Sequence, residues 1–323
     1  MSYTVFYFNP SATPEICDAI RAELPAGWTL LTTNGSTDHA AELRASDFIL
    51  VADRAITAAD LDAAPRLRLI QLQGVGYDRI DLDACRARGI PVSLTPEGTS
   101  VGVAEHTLLL ILALYKQLLT AANGARQGRW LQWELRPSSH ELSGKTLGLV
   151  GFGRIGREVA HRARAFGANL IYFDPFTGPV DTPVATRIDA LETLLRQADI
   201  VSLHLPLTPA TRHLICASTL SQMKPGAVLI NTSRGALVDE AALAVALDRQ
   251  HLSGAGLDVL SQEPPAKDHP LLQRADVLIT PHISAGSQEA LTAKMHHAFA
   301  NMQRHTRGET LHHRVPELIE TQA

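Results

Sequence analysis

The chain has 323 residues, 45% of them hydrophobic, and its 29 basic and 33 acidic side chains leave a net charge of −4. This length and apolar content predict two globular domains, each large enough to bury a core of its own. The small negative charge gives no electrostatic basis for binding nucleic acid or an anionic membrane, so neither partner is expected.

The sequence shows no pattern typical of export or of a membrane span. It begins with a strand-like segment rather than a signal peptide, and its longest apolar run, at 108–114, is far too short to cross a bilayer. The three cysteines, Cys17, Cys85 and Cys216, are odd in number and widely spaced, which is typical of reduced thiols rather than of a disulfide set or a zinc site. We therefore expect a cytoplasmic protein.

The histidines predict no metal site. The chain has 14 of them, but none shows the spacing of a metal-binding motif. Two adjacent pairs, His296 with His297 and His312 with His313, are expected to be solvated residues near the C-terminal end of the sequence.

The first hundred residues alternate between strand and helix patterns. Strands are predicted at 3–8, 28–33, 47–52, 67–73 and 90–94. Helices are predicted at 14–24, 37–45, 57–63 and 81–88, several of them opened by Ser, Thr or Asp caps. Alternation of this kind is typical of a parallel sheet covered on both faces, so a small doubly wound domain is predicted here.

Within this domain, two glycines follow a strand in the segment Gln73-Gly74-Val75-Gly76-Tyr77-Asp78. Ligands of such sheets bind beyond the carboxyl ends of the strands. The N–H groups of Val75 and Gly76 are therefore candidates for holding a substrate carboxylate. The same residues equally suit an ordinary turn between a strand and a helix.

A break rich in Pro, Gly and Ser at 95–101 is predicted to be a hinge or linker. It is followed by a helix at about 102–121 that is apolar nearly all round, which predicts burial between domains or subunits. The segment 122–143 shows no periodicity and is predicted to be irregular. Its Trp130 and Trp133 are more typical of an interface than of a substrate site.

A glycine motif at 151–156 follows an apolar strand and opens a helical pattern. Gly151 suits a tight turn, Gly153 lets the backbone approach a pyrophosphate, and Gly156 lets the helix pack closely on its strand. Asp174 ends the next strand, 18 positions after Gly156, where a carboxylate can accept hydrogen bonds from both ribose hydroxyls. The segment predicts a dinucleotide site, and the charge of Asp174 favours NAD over NADP.

The rest of the chain continues the same alternation. Strands are predicted at 199–205, 227–232, 253–259 and 276–280, and helices near 189–197, 217–223 and 239–249. A polar helix from 287 to about 307 is predicted to return to the first domain. The pattern therefore predicts an α/β protein with two doubly wound parallel-sheet domains, one made of residues 1–101 and 287–323 and the other of residues 102–286.

Three polar residues that follow predicted strands have the chemistry needed to reduce a carbonyl beside a nicotinamide. The guanidinium of Arg234 has the planar fork that grips a carboxylate. The imidazole of His282 can give a proton to the carbonyl oxygen, and the carboxylate of Glu263 can pair with it and raise its pKa. Taken singly, each residue also suits a structural role, as a surface charge, a satisfied loop histidine or a solvated acid. The spacing along the chain leaves open whether the three meet.

At these residues the chain resembles the D-isomer-specific 2-hydroxyacid dehydrogenase family over nearly its full length. The matching segments are GVGYD (74–78), VAEHT (103–107), GFGRIG (151–156), HLPLT (204–208), NTSRGALVD (231–239), GLDV (256–259), EP (263–264) and TPHI (280–283). The resemblance implies a Rossmann cofactor domain inserted in a flavodoxin-like substrate-binding (lid) domain that closes on it.

The resemblance also implies roles for individual residues. Arg234 would bind the substrate carboxylate and carbonyl oxygen, His282 would be the proton donor on reduction, and Glu263 would be its partner. Val75 and Gly76 would offer N–H groups to the carboxylate. The residues expected to line the NAD cofactor are Thr107, Gly151, Gly153, Arg154, Ile155, Gly156, Asp174, Pro206, Thr232 and Asp258. The helix and arm at about 102–143 resemble the family's dimerisation element, which implies a homodimer.

The implied activity is hydride transfer between NAD and C2 of a small D-2-hydroxy acid or 2-keto acid. The chain departs from the family at Val51-Ala52, where members acting on 3-phosphoglycerate tend to have Arg-Ser, and at Leu94 and Val101, where polar residues are frequent. Glyoxylate, hydroxypyruvate or pyruvate are therefore the expected substrates. Two alternatives stay open: a non-catalytic NAD(H)-sensing protein of the corepressor type, and a phosphoglycerate, formate or phosphonate dehydrogenase on the same scaffold.

Overall fold

A computed structural model describes residues 2–33, 38–52, 54–176 and 184–318 of the chain. The chain divides into two compact units, which we call the terminal unit (Met1–Thr99 and Gly286–Ala323) and the central unit (Ser100–Ala285). The sequence pattern put the corresponding divisions at 101/102 and 286/287. Each unit is a parallel sheet with helices, as the alternating pattern predicted.

The described residues of the terminal unit form five short strands and five α-helices. The strands are β1 Thr4–Phe8, β2 Thr29–Thr32, β3 Phe48–Val51, β4 Leu69–Leu72 and β5 Val92–Ser93. The helices are α1 Pro14–Ala22, α2 Ala40–Ala45, α3 Ala58–Asp62, α4 Leu82–Ala87 and α11 Gln288–Thr306, with a short 3-10 helix at Pro316–Leu318. The helix predicted at 37–45 starts outside the described residues. The strands are all parallel, in the order β2-β1-β3-β4-β5 that is typical of flavodoxin-like sheets.

Alternation along the strands gives this sheet two buried faces. Phe6 and Phe8 of β1 belong to one hydrophobic cluster, and Val5 and Tyr7 belong to another on the opposite face. The second cluster is completed by Met295, Ala298, Phe299 and Met302 of α11, all of them buried. The terminal unit therefore depends on a helix that follows the central unit in the chain.

In the central unit, the part of the chain that the structure describes forms seven strands and six α-helices. The strands are β6 Thr146–Val150, β7 Asn169–Phe173, β8 Thr186–Arg187, β9 Ile200–Leu203, β10 Ala227–Asn231, β11 Leu252–Leu257 and β12 Val277–Ile279. The helices are α5 Ser100–Tyr115, α6 Leu118–Arg126, α7 Arg154–Ala165, α8 Leu191–Gln197, α9 Ala217–Leu220 and α10 Glu240–Asp248. Short 3-10 helices lie at Arg136–Ser138, Gly235–Leu237 and Pro270–Gln273.

The strands of the central sheet are all parallel and run in the order β12-β11-β10-β9-β6-β7-β8. Counted from the first strand of this unit, that order is the one expected of a dinucleotide-binding fold with one more strand at its far edge. The strand order reverses between β6 and β9, and such folds bind their ligands at that point. The fold class predicted from the sequence is confirmed.

The predicted helix at 102–121 is wrong in one respect, because it is two helices. Gln117 has a left-handed backbone with φ 50°, and the axes of α5 and α6 differ by 63° across this break. The segment predicted to be irregular therefore begins with the end of α6. Within the described ranges, no single helix has the length and apolar character to cross a membrane, although the bent pair α5–α6 meets that criterion by length and composition alone.

Helix α5 packs on α7, β10 and β11 inside the central unit, which accounts for much of its apolar surface. Leu109 is nevertheless 51% exposed and Val101 48% exposed in the single chain. The strand β8 has no counterpart among the predicted elements. Its two residues are too few for a periodic pattern.

Candidate active site

The three glycines of the 151–156 motif have different surroundings. Gly151 has φ 99°, and a Cβ atom on it would lie 2.4 Å from the carbonyl oxygen of His204. A Cβ atom on Gly156 would lie 2.3 Å from the carbonyl oxygen of Gly151. Gly153 is the residue before α7, and a Cβ atom on it would have no neighbouring atom within 4 Å. Two of the glycines are therefore required for the turn itself, while the third leaves open space at the start of a helix.

That open space fits the phosphates of a dinucleotide. The N-terminus of a helix presents main-chain N–H groups and the positive end of the helix dipole, both of which favour a bound anion. A glycine without a neighbour lets such an anion approach the backbone closely. The residues present at 151–156 therefore suit the cofactor that the motif predicted.

Asp174 follows β7 and is only 5% exposed. Its Oδ2 accepts a hydrogen bond of 2.8 Å from the N–H of Phe152, and its Oδ1 accepts one of 2.9 Å from the N–H of Phe176. The carboxylate is thus held directly against the glycine turn. The residues at 177–183 that follow lie outside the described part of the chain.

His282 and Glu263 form a close pair. The Nδ1 of His282 lies 2.9 Å from Oε2 of Glu263, and the side chains are 36% and 15% exposed. The other carboxylate oxygen, Oε1, accepts a hydrogen bond of 3.0 Å from the N–H of Leu260. Glu263 is therefore fixed by the main chain and in turn orients the imidazole of His282.

A buried carboxylate organises the loop that holds His282. Asp258, which is 1% exposed, accepts hydrogen bonds from the N–H groups of Ile283 (3.0 Å) and Ser284 (2.9 Å) and from the hydroxyl of Thr280 (2.6 Å). His282 has φ 53°, a left-handed backbone that residues other than glycine rarely adopt, and its N–H donates to the carbonyl oxygen of Asp258 at 2.8 Å. These bonds explain how the loop keeps that conformation.

The sequence pattern assigned no role to two residues of this network, His106 and Thr280. The Nε2 of His106 lies 2.9 Å from the hydroxyl of Thr280 and 3.5 Å from Oδ1 of Asp258. Both residues belong to segments that carry the family resemblance, and that was the only available signal. Their contact joins α5 to the loop after β12, which no local pattern reveals.

Arg234 directly follows Asn231-Thr232-Ser233 at the carboxyl end of β10. The side-chain amide of Asn231 donates to the carbonyl oxygen of Arg234 at 2.8 Å, and Nη1 of Arg234 donates to the carbonyl oxygen of Ser233 at 2.8 Å. A Cβ atom on the next residue, Gly235, would lie 1.9 Å from the carbonyl carbon of Leu260. The loop after β10 is therefore packed tightly against the segment that leads to Glu263.

The remaining predicted cofactor residues of the central unit are held near strand ends. The hydroxyls of Thr107 and Thr232 lie 3.1 Å apart, and both residues are buried. Pro206 is exposed in the loop after β9. In the same loop, burial lowers the pKa of His204 to about 3, so its ring is neutral, with Nε2 2.9 Å from the hydroxyl of Ser202.

The predicted triad residues thus follow the carboxyl ends of β10, β11 and β12, three neighbouring strands of one sheet. The structure brings His282 and Glu263 into direct contact and packs the Arg234 loop beside them. Val75 and Gly76 belong to the terminal unit. They lie in the loop after β4, where Val75 is 40% exposed.

Comparison with known proteins identifies the family. Residues 108–284 match the model of the D-isomer specific 2-hydroxyacid dehydrogenase, NAD binding domain. The chain is 42% identical over 249 residues to the D-3-phosphoglycerate dehydrogenase of Mycobacterium tuberculosis (strain ATCC 25618 / H37Rv), an alignment that covers 76% of this chain and 46% of that protein. The chain therefore spans about half the length of that relative.

Two further similarities extend over most of both partners. The hydroxypyruvate reductase of Thermotoga maritima is 40% identical over 237 residues, which cover 73% of this chain and 76% of that protein. The crystal structure of D-lactate dehydrogenase from Aquifex aeolicus, complexed with NAD and lactic acid, is 32% identical with a TM-score of 0.82 and covers 95% of this chain and 96% of that one. By sequence and by fold, the chain belongs to the D-isomer-specific 2-hydroxyacid dehydrogenase family.

Proposed function

We propose that this protein is an NAD-dependent oxidoreductase that transfers hydride between the nicotinamide and C2 of a small D-2-hydroxy acid or 2-keto acid. The observation that supports this most directly is the 2.9 Å contact between Nδ1 of His282 and Oε2 of Glu263, beyond the carboxyl ends of the sheet that also bears the glycine turn. An imidazole oriented by a fixed carboxylate is the arrangement expected of a general acid and base.

Each member of the proposed triad has a separate task. NADH, when bound, supplies the hydride. Arg234 binds the substrate carboxylate and carbonyl oxygen through its planar fork of N–H donors. His282 gives a proton to the carbonyl oxygen on reduction and takes it back on oxidation, while Glu263 orients the ring and stabilises its protonated form. Asp258 acts as a positioning residue, since it binds the loop of His282 through three hydrogen bonds.

The proposed cofactor residues divide into the glycine turn and its surroundings. Gly151, Gly153 and Gly156 shape the turn, and Arg154 and Ile155 begin the helix that faces the phosphates. Asp174 binds the ribose hydroxyls and disfavours the 2′-phosphate of NADP through like charge. Thr107, Pro206, Thr232 and Asp258 complete the set of residues that we assign to the cofactor.

The preference for NAD can be tested at Asp174. Replacing Asp174 with Ala should weaken NADH binding and bring the Kd values for NADH and NADPH closer together, because the ribose partner and the repulsive charge are removed together. Kd values from protein fluorescence quenching with each cofactor provide the measurement. An unchanged ratio of the two Kd values would refute the role of Asp174.

The terminal unit is proposed to bind the substrate carboxylate through the N–H groups of Val75 and Gly76. The chain has Val51-Ala52 at the end of β3, and Val51 is buried. Neither side chain can bind a phosphate. We therefore assign glyoxylate, hydroxypyruvate or pyruvate rather than a phosphorylated acid as the substrate class.

A panel of acids tests the function. NADH oxidation is followed by absorbance with glyoxylate, hydroxypyruvate, pyruvate and phosphohydroxypyruvate, and each assay is repeated with NADPH. We expect turnover with at least one unphosphorylated acid and little with the phosphorylated one. Tight NADH binding without turnover across the panel would instead indicate a non-catalytic NAD(H) sensor.

Two variants separate binding from chemistry. His282→Asn should lower kcat by about 100- to 10,000-fold, the usual contribution of a general acid, and leave the Kd for NADH unchanged. Arg234→Lys keeps the charge but removes the bidentate fork, so it should mainly raise KM for the acid. Normal turnover by the His282 variant near neutral pH would overturn the assignment of the proton donor.

We also propose that the protein forms a homodimer through the arm at about 102–143. Trp130 and Trp133 are 78% and 66% exposed, and Leu119 on the neighbouring helix α6 is 54% exposed. Light scattering should show that Leu119→Glu together with Trp130→Glu yields a monomer. A matched change at Leu272, which is 38% exposed and lies outside the arm, should leave the mass unchanged.

A further inference from the structure

Three side chains that are far apart along the chain meet in the terminal unit. The Nδ1 of His297 lies 3.2 Å from Oε2 of Glu97, and the Nε2 of His313 lies 3.0 Å from Oε1 of the same carboxylate. Their side chains are only 15%, 36% and 30% exposed for His297, Glu97 and His313. The expectation that both histidine pairs are solvated is therefore wrong for one member of each pair.

The residues of this cluster are of the types that bind metal ions. One potential ligand atom from each residue lies within 4.8 Å of the other two. Imidazole nitrogen and carboxylate oxygen are ligands of divalent transition metals, and three protein ligands with one position left for water is a common zinc arrangement. Two ligand atoms of one tetrahedral zinc ion lie about 3.3 Å apart, and each imidazole nitrogen lies close to that distance from one of the two Glu97 oxygens.

The three residues stand on three different segments. Glu97 lies in the loop between β5 and α5, His297 lies on α11, and His313 lies in the C-terminal segment that pairs with β5. The loop is packed closely on the helix, because a Cβ atom on Gly98 would lie 2.6 Å from the carbonyl oxygen of Ala290. Since Ala290 precedes His297 by two helical turns, both residues lie on the same face of α11.

A buried polar network fixes these segments to one another. The amide nitrogen of Asn301 on α11 donates to Oε1 of Gln71 at 2.8 Å, and the amide nitrogen of Gln71 donates to the hydroxyl of Thr95 at 2.9 Å. The N–H of His312 donates to Oδ1 of Asn301 at 2.9 Å. The backbones that carry the three potential ligands are thus held in place, as a preorganised metal site requires.

We infer that Glu97, His297 and His313 bind a divalent transition-metal ion of the zinc type. The ion takes the place of the hydrogen bond between His313 and the carboxylate and of the ion-pair contact between His297 and the carboxylate, and its remaining coordination comes from water. The site lies entirely in the terminal unit, whereas the proposed catalytic triad lies in the central unit. Imidazole nitrogen binds a metal ion only in its unprotonated form, so the ion competes with protons for both histidines.

Cobalt(II) tests the inference, since it replaces zinc and absorbs visible light when bound by imidazole and carboxylate. The full-length protein is treated with a chelator, dialysed and titrated with CoCl2, and ZnCl2 is then added as a competitor. We expect one equivalent of Co²⁺ to bind and to be displaced by Zn²⁺. Replacing His297 and His313 together by Asn should abolish the signal, and Glu97→Gln should weaken binding at least about tenfold.

A matched control removes the same number of histidines elsewhere. His161 and His296 are exposed and lie outside the cluster, so the variant with both replaced by Asn should bind Co²⁺ like the original protein. Two measurements show that each variant is folded. The variant should bind NADH, which we assign to the central unit, and its thermal transition should equal that of the untreated protein. If the double Asn variant does not fold, Glu97→Gln alone decides, since the change is nearly isosteric.

Three results would overturn the inference. The first is no stoichiometric binding, which would mean that the cluster is only a hydrogen-bonded contact. The second is binding that persists in both Glu97→Gln and the double Asn variant. The third is a loss in the His161 and His296 control as large as that in the double Asn variant, which would indicate binding by surface histidines in general.

Discussion

At the scale of single residues, replacing either of two glycines of the same motif with Ala should have different effects on stability and on NADH binding. Gly156→Ala places a methyl group 2.3 Å from the carbonyl oxygen of Gly151, so backbone must move and the protein should lose about 1–3 kcal/mol of stability. Gly153→Ala meets no atom within 4 Å and should cost less than about 1 kcal/mol. It should instead weaken NADH binding, because its methyl group occupies the space assigned to the pyrophosphate.

Thermal unfolding and NADH titration of both variants check this pair. The informative quantity is the contrast: a large fall in Tm for Gly156→Ala and a large rise in the Kd for NADH for Gly153→Ala. Equal NADH affinity in Gly153→Ala and the parent protein would show that the open space at the start of α7 is not where the cofactor binds.

The three cysteines should differ in reactivity although all are free thiols. Hydrogen bonds from the Ser218 side chain and the Thr219 N–H lower the pKa of Cys216 to about 7. Burial raises the pKa of Cys85 to about 11, and it also raises that of Cys17. Because only the thiolate reacts, iodoacetamide should modify Cys216 first, with a rate that rises with pH to a midpoint of about 7.

Mass spectrometry of the digested protein identifies the modified residue, and Cys216→Ser should remove the fast reaction without affecting the slow ones. Faster labelling of Cys17 than of Cys216 at neutral pH would contradict the assignment.

The site residues that the sequence predicted are those with a recognisable local context. Arg234 and His282 each follow a predicted strand, and the motif around each residue suggested its chemistry. The contact of His106 with Thr280 and the cluster at Glu97 were missed for one physical reason. Each joins side chains separated by more than a hundred positions, and periodicity reports only the face on which a residue lies.

At the scale of elements, the two units share an arrangement at the amino ends of their strands. In the terminal unit, Oδ2 of Asp47 accepts a hydrogen bond of 2.9 Å from the N–H of Thr4, the first residue of β1. In the central unit, Oδ2 of Asp199 accepts one of 2.8 Å from the N–H of Thr146, the first residue of β6. A carboxylate thus joins neighbouring strands at the same position in both sheets.

Asp199 should contribute measurably to the stability of the central sheet. Burial alone would raise the pKa of its carboxyl, but the bonds from the Thr146 N–H and Lys224 and the charges of Lys224 and Lys145 lower it overall. Asp199→Asn should therefore cost about 1–3 kcal/mol near neutral pH. A lowered pKa in the folded state means that this contribution exists above the ordinary value of about 4 and is lost as the pH falls through the folded value.

Chemical denaturation of Asp199→Asn and its parent as a function of pH tests the sign. The difference in the free energy of unfolding between the variant and its parent should be largest near neutral pH and should disappear at acidic pH. Asp189→Asn is the control, because that side chain is 95% exposed and should show little effect at any pH. A difference that grows on acidification would contradict the mechanism.

The boundaries of elements were less predictable than their existence. The break at Gln117 was missed because apolar residues resume directly after Lys116 and Gln117, and Gln is not a residue that favours a left-handed backbone. The short strand β8 was missed because its two residues gain their strand character only by pairing with β7. In both cases tertiary packing determines the local structure.

At the scale of the whole molecule, the alternation of strand and helix patterns was enough to predict two doubly wound sheets. Each buried parallel strand leaves a short apolar run in the sequence, and each glycine or capping residue marks an end. The order of the strands within each sheet could not be derived from those runs. It depends on which strands pair, and pairing is a long-range property.

The division of the chain predicts which part folds alone. Residues 100–285 contain both clusters that cover the central sheet, so this segment should unfold cooperatively and retain NADH binding.

Residues 1–99 lack Met295, Phe299 and Met302, whose burial is worth about 1.5–3 kcal/mol each, and their loss is comparable to the whole stability of a small domain. Circular dichroism should show that this fragment is unfolded. Joining it to residues 286–323 through a short Gly-Ser linker should restore a cooperative transition, since Gly98 already contacts Ala290. A cooperative melt of residues 1–99 alone would show that α11 is dispensable for the sheet.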